Sequence, residues 1–114
     1  MTVRDIQEKL GLSVACGEEK LDQPVTGGYV GDLLSDVIAH SGQGNVWVTM
    51  QVHMNIVAVA VLKELTAIII VNGRVPAEDT LQKAVEEKIP ILLSRQTGFE
   101  VSGELYVLGV GRVT

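Results

Sequence analysis

The run Ala67-Ile68-Ile69-Ile70-Val71 constrains the fold of this chain more than any other segment. A strand with one face in water shows a polar residue at every second position, and this run shows none. Both of its faces must be covered, as in a parallel strand with helices packed above and below. Val46-Trp47-Val48-Thr49-Met50 and Ile89-Pro90-Ile91-Leu92-Leu93-Ser94 also read as strands, and stretches with helical spacing lie between them.

The remaining elements follow from caps and breakers. Thr2 caps a helix through Leu10, with Asp5 completing a capping box, and Gly11 stops it. Strands are expected over 12–16 and 25–30, separated by a solvated turn at Gly17-Glu18-Glu19-Lys20. Asp32 is expected to cap a helix over 33–40 with Leu33, Leu34, Val37 and Ile38 facing in. A loop over 41–45 precedes the strand 46–50, and residues 55–65 read as a helix buried nearly all round. Asn72-Gly73 turns the chain, and Pro76 with Glu78 and Asp79 starts a helix to residue 88 with Leu81, Ala84 and Val85 inward. The segment from Thr97 fits a hairpin around Ser102-Gly103, or a helix capped by Thr97 with Val101, Leu105 and Leu108 on one stripe. The rhythm of strand followed by helix favours the helix. The expected fold is α/β, a three-layer α/β/α domain over 1–114 with a mainly parallel sheet of about five strands and right-handed crossovers.

Composition narrows the function. The chain is 46% hydrophobic but only 4% aromatic, so aliphatic side chains fill the interior and aromatic platforms for stacking bases are scarce. Its formal net charge is −5, and no Lys or Arg occurs over 21–62, which argues against nucleic acid or an anionic membrane as partner. One cysteine, Cys16, excludes an intrachain disulfide and suits a reducing cytoplasm. The amino-terminal residues are charged throughout, unlike a signal peptide, and Lys63, Glu64 and Thr66 interrupt the longest apolar region. Trp47, Val52 and Met54 are expected on an apolar surface that pairs two copies into a homodimer.

The chemistry centres on Thr26-Gly27-Gly28, where an apolar strand runs into paired glycines. Glycine takes positive φ without steric cost, so such a turn lets main chain approach a ligand or a neighbouring strand closely. The segment is neither G-x-G-x-x-G nor a Walker A sequence and has no lysine, and a capping Asp32 would occupy the amides that a phosphate needs. Thr26, Gly27, Gly28, Asp32, Thr49, His53 and Asn55 form the candidate ligand site, the last three near the carboxyl ends of strands where α/β sheets bind ligands. Against this stands a purely structural role, with Asn55 capping its helix and His53 satisfying a loop carbonyl. Arg74 and Arg95 lie just beyond strand ends, placed either to meet an anion or to be solvated. Cys16, His40 and His53 lack metal-ligand spacing, so no metal or cofactor is expected. Without a paired acid and base or an activated nucleophile, no catalysis is expected; the competing reading is a small hydrolase or phosphotransferase using His53 with Asp32.

Thr26-Gly27-Gly28-Tyr29-Val30-Gly31-Asp32-Leu33-Leu34-Ser35-Asp36, with Val46-Trp47-Val48-Thr49 and Asn55-Ile56-Val57-Ala58-Val59-Ala60, resembles a stand-alone DRTGG domain over nearly the whole chain. Pro24-Val25 stand where that family's Asp-Arg pair would precede Thr-Gly-Gly, so no arginine accompanies the motif here. The resemblance implies a fold similar to the N-terminal domain of HPr kinase/phosphorylase and a regulatory role without kinase activity. Similar domains accompany CBS domains in regulated pyrophosphatases and precede some phosphate acetyltransferases, and stand-alone forms occur in anaerobes near iron-only hydrogenase genes. The expected function is a regulatory module that binds a small ligand, a nucleotide-like one included, and signals through a dimer. The alternative is an interaction subunit of a metabolic or redox enzyme that takes no small ligand.

Overall fold

The computed structural model describes residues 1–111. Its elements run α1 (Val3–Leu10), β1 (Ser13–Cys16), a short 3-10 turn (Glu18–Lys20), β2 (Gly27–Val30), α2 (Leu34–His40), β3 (Asn45–Thr49), α3 (Asn55–Lys63), β4 (Ala67–Ile70), α4 (Glu78–Glu87), β5 (Ile91–Leu93) and α5 (Gly98–Leu108). The five strands form one sheet in the order β1-β5-β4-β3-β2. β2, β3, β4 and β5 pair in parallel, while β1 pairs antiparallel with β5 through a register shift between Val14 and Cys16. The sheet is therefore mixed: five strands, as expected, parallel throughout except for the one antiparallel pair at the β1 edge.

The central strands distribute their side chains to two cores, as the unbroken apolar run requires. Ile68 and Ile70 of β4, Trp47 of β3 and Ile91 of β5 join Val37 of α2, Ile56 and Val57 of α3 and Ala84 of α4. Ala67, Ile69, Val46, Val48 and Leu92 face the other way, onto Val3 and Ile6 of α1 and Val101 and Leu105 of α5. Helices α2, α3 and α4 thus cover one face, and α1 and α5 the other. Each fully buried isoleucine contributes roughly 2 kcal/mol by leaving water, so β4 is the anchor of both layers.

Helix ends explain why α1 and α5 stop and start where they do. Thr2 and Asp5 close a capping box on α1, and Gly11 ends it at φ 64°. Thr97 and Glu100 close a second box on α5: the Glu100 amide donates to Thr97 Oγ1 at 3.2 Å and the Thr97 amide to Glu100 Oε1 at 3.1 Å. That pair decides the Thr97 segment in favour of helix.

Several inward assignments are corrected. Leu33, Ile38 and Val85 are exposed, as are Val61 and Leu62 of α3, so that helix is buried on one side and not nearly all round. Trp47, expected at the surface, is fully buried, and its indole Nε1 donates to Gly31 O at 2.8 Å. Cys16 is buried, its thiol donating to Ile89 O, and burial pushes its pKa up. No helix among the described residues is long and apolar enough to cross a membrane.

Candidate functional site

The edge strand β2 has two differently built ends. At its amino end, Thr26 Oγ1 donates to Gln43 O at 2.6 Å and accepts from Asn45 Nδ2 at 3.2 Å, while the Thr26 amide donates to Gly44 O at 3.0 Å. Gly44 sits at φ 81°, and a Cβ there would stand 2.7 Å from Thr26 Cγ2. Gly27 and Gly28, expected in a positive-φ turn, lie inside the strand without positive φ. A Cβ on Gly27 would come within 3.1 Å of Asn45 Nδ2 and 3.8 Å of Gly111 Cα. The close approach that the glycine pair announces is therefore made, at Gly27, to a neighbouring strand and to the turn after α5.

At the carboxyl end the polar groups converge. Asp32 does not cap α2, whose N-cap is Leu33 with no side-chain hydrogen bond. Asp32 Oδ1 instead accepts from Thr49 Oγ1 at 2.7 Å and from the Met50 amide at 2.8 Å, tying β2 to the end of β3. The better offer wins: in-register pairing of β2 and β3 brings a hydroxyl and a free amide to the carboxylate. Gln51 Nε2 donates to Asp32 O at 2.9 Å, and Arg74 Nη1 donates to Met50 O at 2.7 Å.

Beside this cluster lies a cleft of about 170 Å³ lined by Val30, Asp32, Val48, Thr49, Asn72 and Gly98. A second, of about 250 Å³, is lined by Gly28, Val30, Val48, Ser102, Leu105 and Tyr106. The two share Val30 and Val48 as walls, so a groove follows β2 along α5 from Gly28 to Asp32. Of the predicted site residues, Gly28, Asp32 and Thr49 line this groove. Thr26 and Gly27 sit beyond its closed end. His53 and Asn55 are exposed at the start of α3, on the other face of the sheet, and line neither cleft. Asn55 does not act as N-cap, a position taken by Met54 without a side-chain bond. His53 makes no side-chain hydrogen bond among the described residues and does not meet Asp32.

A trio missed by sequence reasoning joins β2 to α2. The Tyr29 hydroxyl donates to Asp36 Oδ2, and His40 Nδ1 lies 3.0 Å from Asp36 Oδ1. The hydrogen bond from Tyr29 holds the Asp36 carboxyl below its ordinary range, with His40 adding to the effect. The same bond pushes the Tyr29 phenol up to about 12. Asp36 and His40 at i and i+4 were the available signal. Among the described residues no cluster of three His, Cys, Asp or Glu side chains could hold a metal ion.

Helix α5 forms one wall of the groove and also faces outward. Val101 and Leu105 point into the core, whereas Phe99 is 90% and Val107 81% exposed on the opposite stripe, with Gly103 and Tyr106 between them.

No family model matches the chain, and no curated protein matches it. Among solved structures, it is similar to the CBS and DRTGG domains of the regulatory region of Clostridium perfringens pyrophosphatase, complexed with the activator diadenosine tetraphosphate. The TM-score is 0.74 at 14% sequence identity, over 97% of this chain and 48% of that one. The chain thus spans about half the length of that neighbour, and the likeness supports a DRTGG-like fold.

Proposed function

We propose that this chain, read over 1–114 as one DRTGG-like domain, is a non-catalytic regulatory module. It takes a small ligand in the groove between β2 and α5 and passes the state of that groove across a homodimer. The carrying observation is that α5 has two apolar stripes: one packs in the core beside the groove, where Ser102 and Leu105 line it, and the other presents Phe99 and Val107 to solvent. A helix apolar on both sides is incompletely covered as a monomer. A ligand that shifts α5 by contact with its inner side would change the outer stripe, which is what coupling between a site and an interface requires.

The polar end of the groove gives the ligand orientation. Thr49 and Asp32 already satisfy one another, so a ligand meets an acceptor-rich end suited to hydroxyl and amine donors, with an apolar floor at Val30 and Val48. Gly28 lines the groove, where a Cβ would already touch Val46 and Val110 at 3.6 and 3.7 Å, so the larger side chain of valine would narrow it. The fold neighbour is a regulatory region with a nucleotide activator, which supports the class of module.

The test is a thermal-shift screen of nucleosides, nucleotides and small metabolites. A ligand at a hundredfold its dissociation constant should stabilise the protein by about 2.7 kcal/mol. Gly28→Val and Asp32→Asn should each abolish a genuine hit while the protein stays folded. Light scattering should return a dimer that Val107→Glu converts to a monomer. The exposed stripe of α5 also favours a second reading, a partner protein in place of the second copy. A monomer that gives no thermal shift and co-purifies with one enzyme would establish that reading.

A further inference from the structure

The polar crevice with the clearest charge character lies outside that groove. At the carboxyl edge of the sheet, the chain leaving β4 turns toward α4 on one face, whereas the chain leaving β5 turns toward α5 on the other. Divergence of two neighbouring connections opens a crevice between strand ends, the place where open α/β sheets hold ligands. Here it is a cleft of about 480 Å³, lined on its polar side by Gly73, Arg74, Ser94, Arg95 and Gln96. We propose that it is an anion site, binding the phosphate group of a small phosphate monoester.

Charge is the first reason. The protein carries a net charge of −5, yet the cleft is lined by two arginines and no carboxylate. The second is that donors are available. The exposed Arg95 guanidinium makes no hydrogen bond or ion pair among the described residues, leaving its whole fork free. Arg74 spends only Nη1, on Met50 O at 2.7 Å, which also fixes where the rest of its guanidinium stands. Ser94 is buried, and its Oγ accepts from the Gln96 amide at 3.1 Å. Its hydroxyl proton donates to no acceptor among the described residues, so it adds a neutral donor to the lining of the same cleft. Third, the loop that presents Arg74 is fixed: Asn72 at φ 63° and Gly73 at φ 68° form a tight turn pinned by Asn72 N to Gln96 O at 2.8 Å and Gly73 N to Ser94 O at 2.9 Å. Those two bonds tie the Arg74 loop to the Arg95 loop. Arg74, held through Nη1, and the uncommitted fork of Arg95, carried on two loops tied to each other, together suit a tetrahedral anion with several acceptor oxygens. Leu10, Val75 and Leu93 complete the cleft with an apolar wall for the remainder of the ester.

The probe is adenosine monophosphate, titrated into isotope-labelled full-length protein. Amide shifts should concentrate at Gly73, Arg74 and residues 94–96 in the micromolar-to-millimolar range. Arg95→Gln should weaken binding about tenfold, the loss of a charge-assisted hydrogen bond. Arg95→Lys, which keeps the charge without the fork, should fall between. Adenosine without phosphate should leave these amides unmoved. The site is overturned if no shift appears at millimolar concentration, if Arg95→Gln binds as the parent does, or if citrate binds tighter than the phosphate ester. Asp32→Asn should leave this binding intact, so failure here and failure of the β2–α5 groove are separate results.

Discussion

The two ends of β2 use the same kinds of residue to opposite effect. At the amino end, Thr26, Gly27, Gly44 and Asn45 consume one another: hydroxyl, amide and side-chain amide are paired, and the glycines let backbone and side chains close in. At the carboxyl end, Asp32 and Thr49 are paired too, but beside a cleft, and further hydrogen bonds extend the polar cluster to Gln51 and Arg74. A glycine-rich motif can thus serve in part as a joint between strands, with the polar cleft a strand's length away. Position relative to the strand ends, more than residue type, separates the two.

Substitutions at each end sharpen the contrast. The largest effect is expected at the closed end, from Gly44→Val. It forces a β-branched residue into positive φ and onto Thr26, and should cost about 2–4 kcal/mol in chemical denaturation. At the open end, Asp32→Ala strips partners from the Thr49 hydroxyl and the Met50 amide. It should cost about 1–2 kcal/mol, and it should weaken any groove ligand far more than Gly44 variants that remain folded. Thr26→Val removes an exposed hydroxyl that donates to Gln43 and accepts from Asn45, for about 1 kcal/mol and no change in ligand binding. If Thr26→Val abolished binding while Asp32→Ala did not, the assignment of the two ends would be reversed.

The smallest effect is a titration. Asp36 is depressed in the folded state, so its contribution to stability is present above the unfolded value of 3.8 and is lost as pH falls through the lower folded value. Tyr29 is raised, so its contribution is complete below 10.0 and is lost as pH rises through about 12. Ultraviolet titration should show one late-ionising tyrosine, absent in Tyr29→Phe, and that variant should also return the Asp36 carboxyl toward its ordinary range.

Sequence conveyed the architecture well where burial dictates residue type. The Ala67–Val71 run, the Thr2 cap and the Asn72-Gly73 turn each have one cheap structural solution, and the chain adopts it; the Thr97 segment had two, and its capping box selects the helix. It conveyed less wherever a choice depended on a partner distant in sequence. Asp32 had two uses, and pairing of β2 with β3 selected Thr49 over the helix end. Trp47 looked like a surface anchor because its neighbours in sequence do not reveal that α2 and α3 cover it. The direction of β1 was equally hidden, since Ser13-Val14-Ala15-Cys16 fits either edge pairing. Within the candidate site, Thr49 was legible as a carboxyl-edge residue and Asp32 only as a helix cap, while His53 and Asn55 were drawn in by the same edge argument without knowing that the start of α3 lies on the other face.

The antiparallel join of β1 to β5 also has a temporal consequence. β2 through β5 can be laid down in order, each strand finding its neighbour one crossover away, which keeps loop-closure costs small. β1 breaks that order: Ser13 waits for Leu93 and Cys16 for Ile91, partners that leave the ribosome only after every other strand has been made. Until then β1 is an unpaired segment beside a growing sheet, and the last strand synthesised is the one that admits the first.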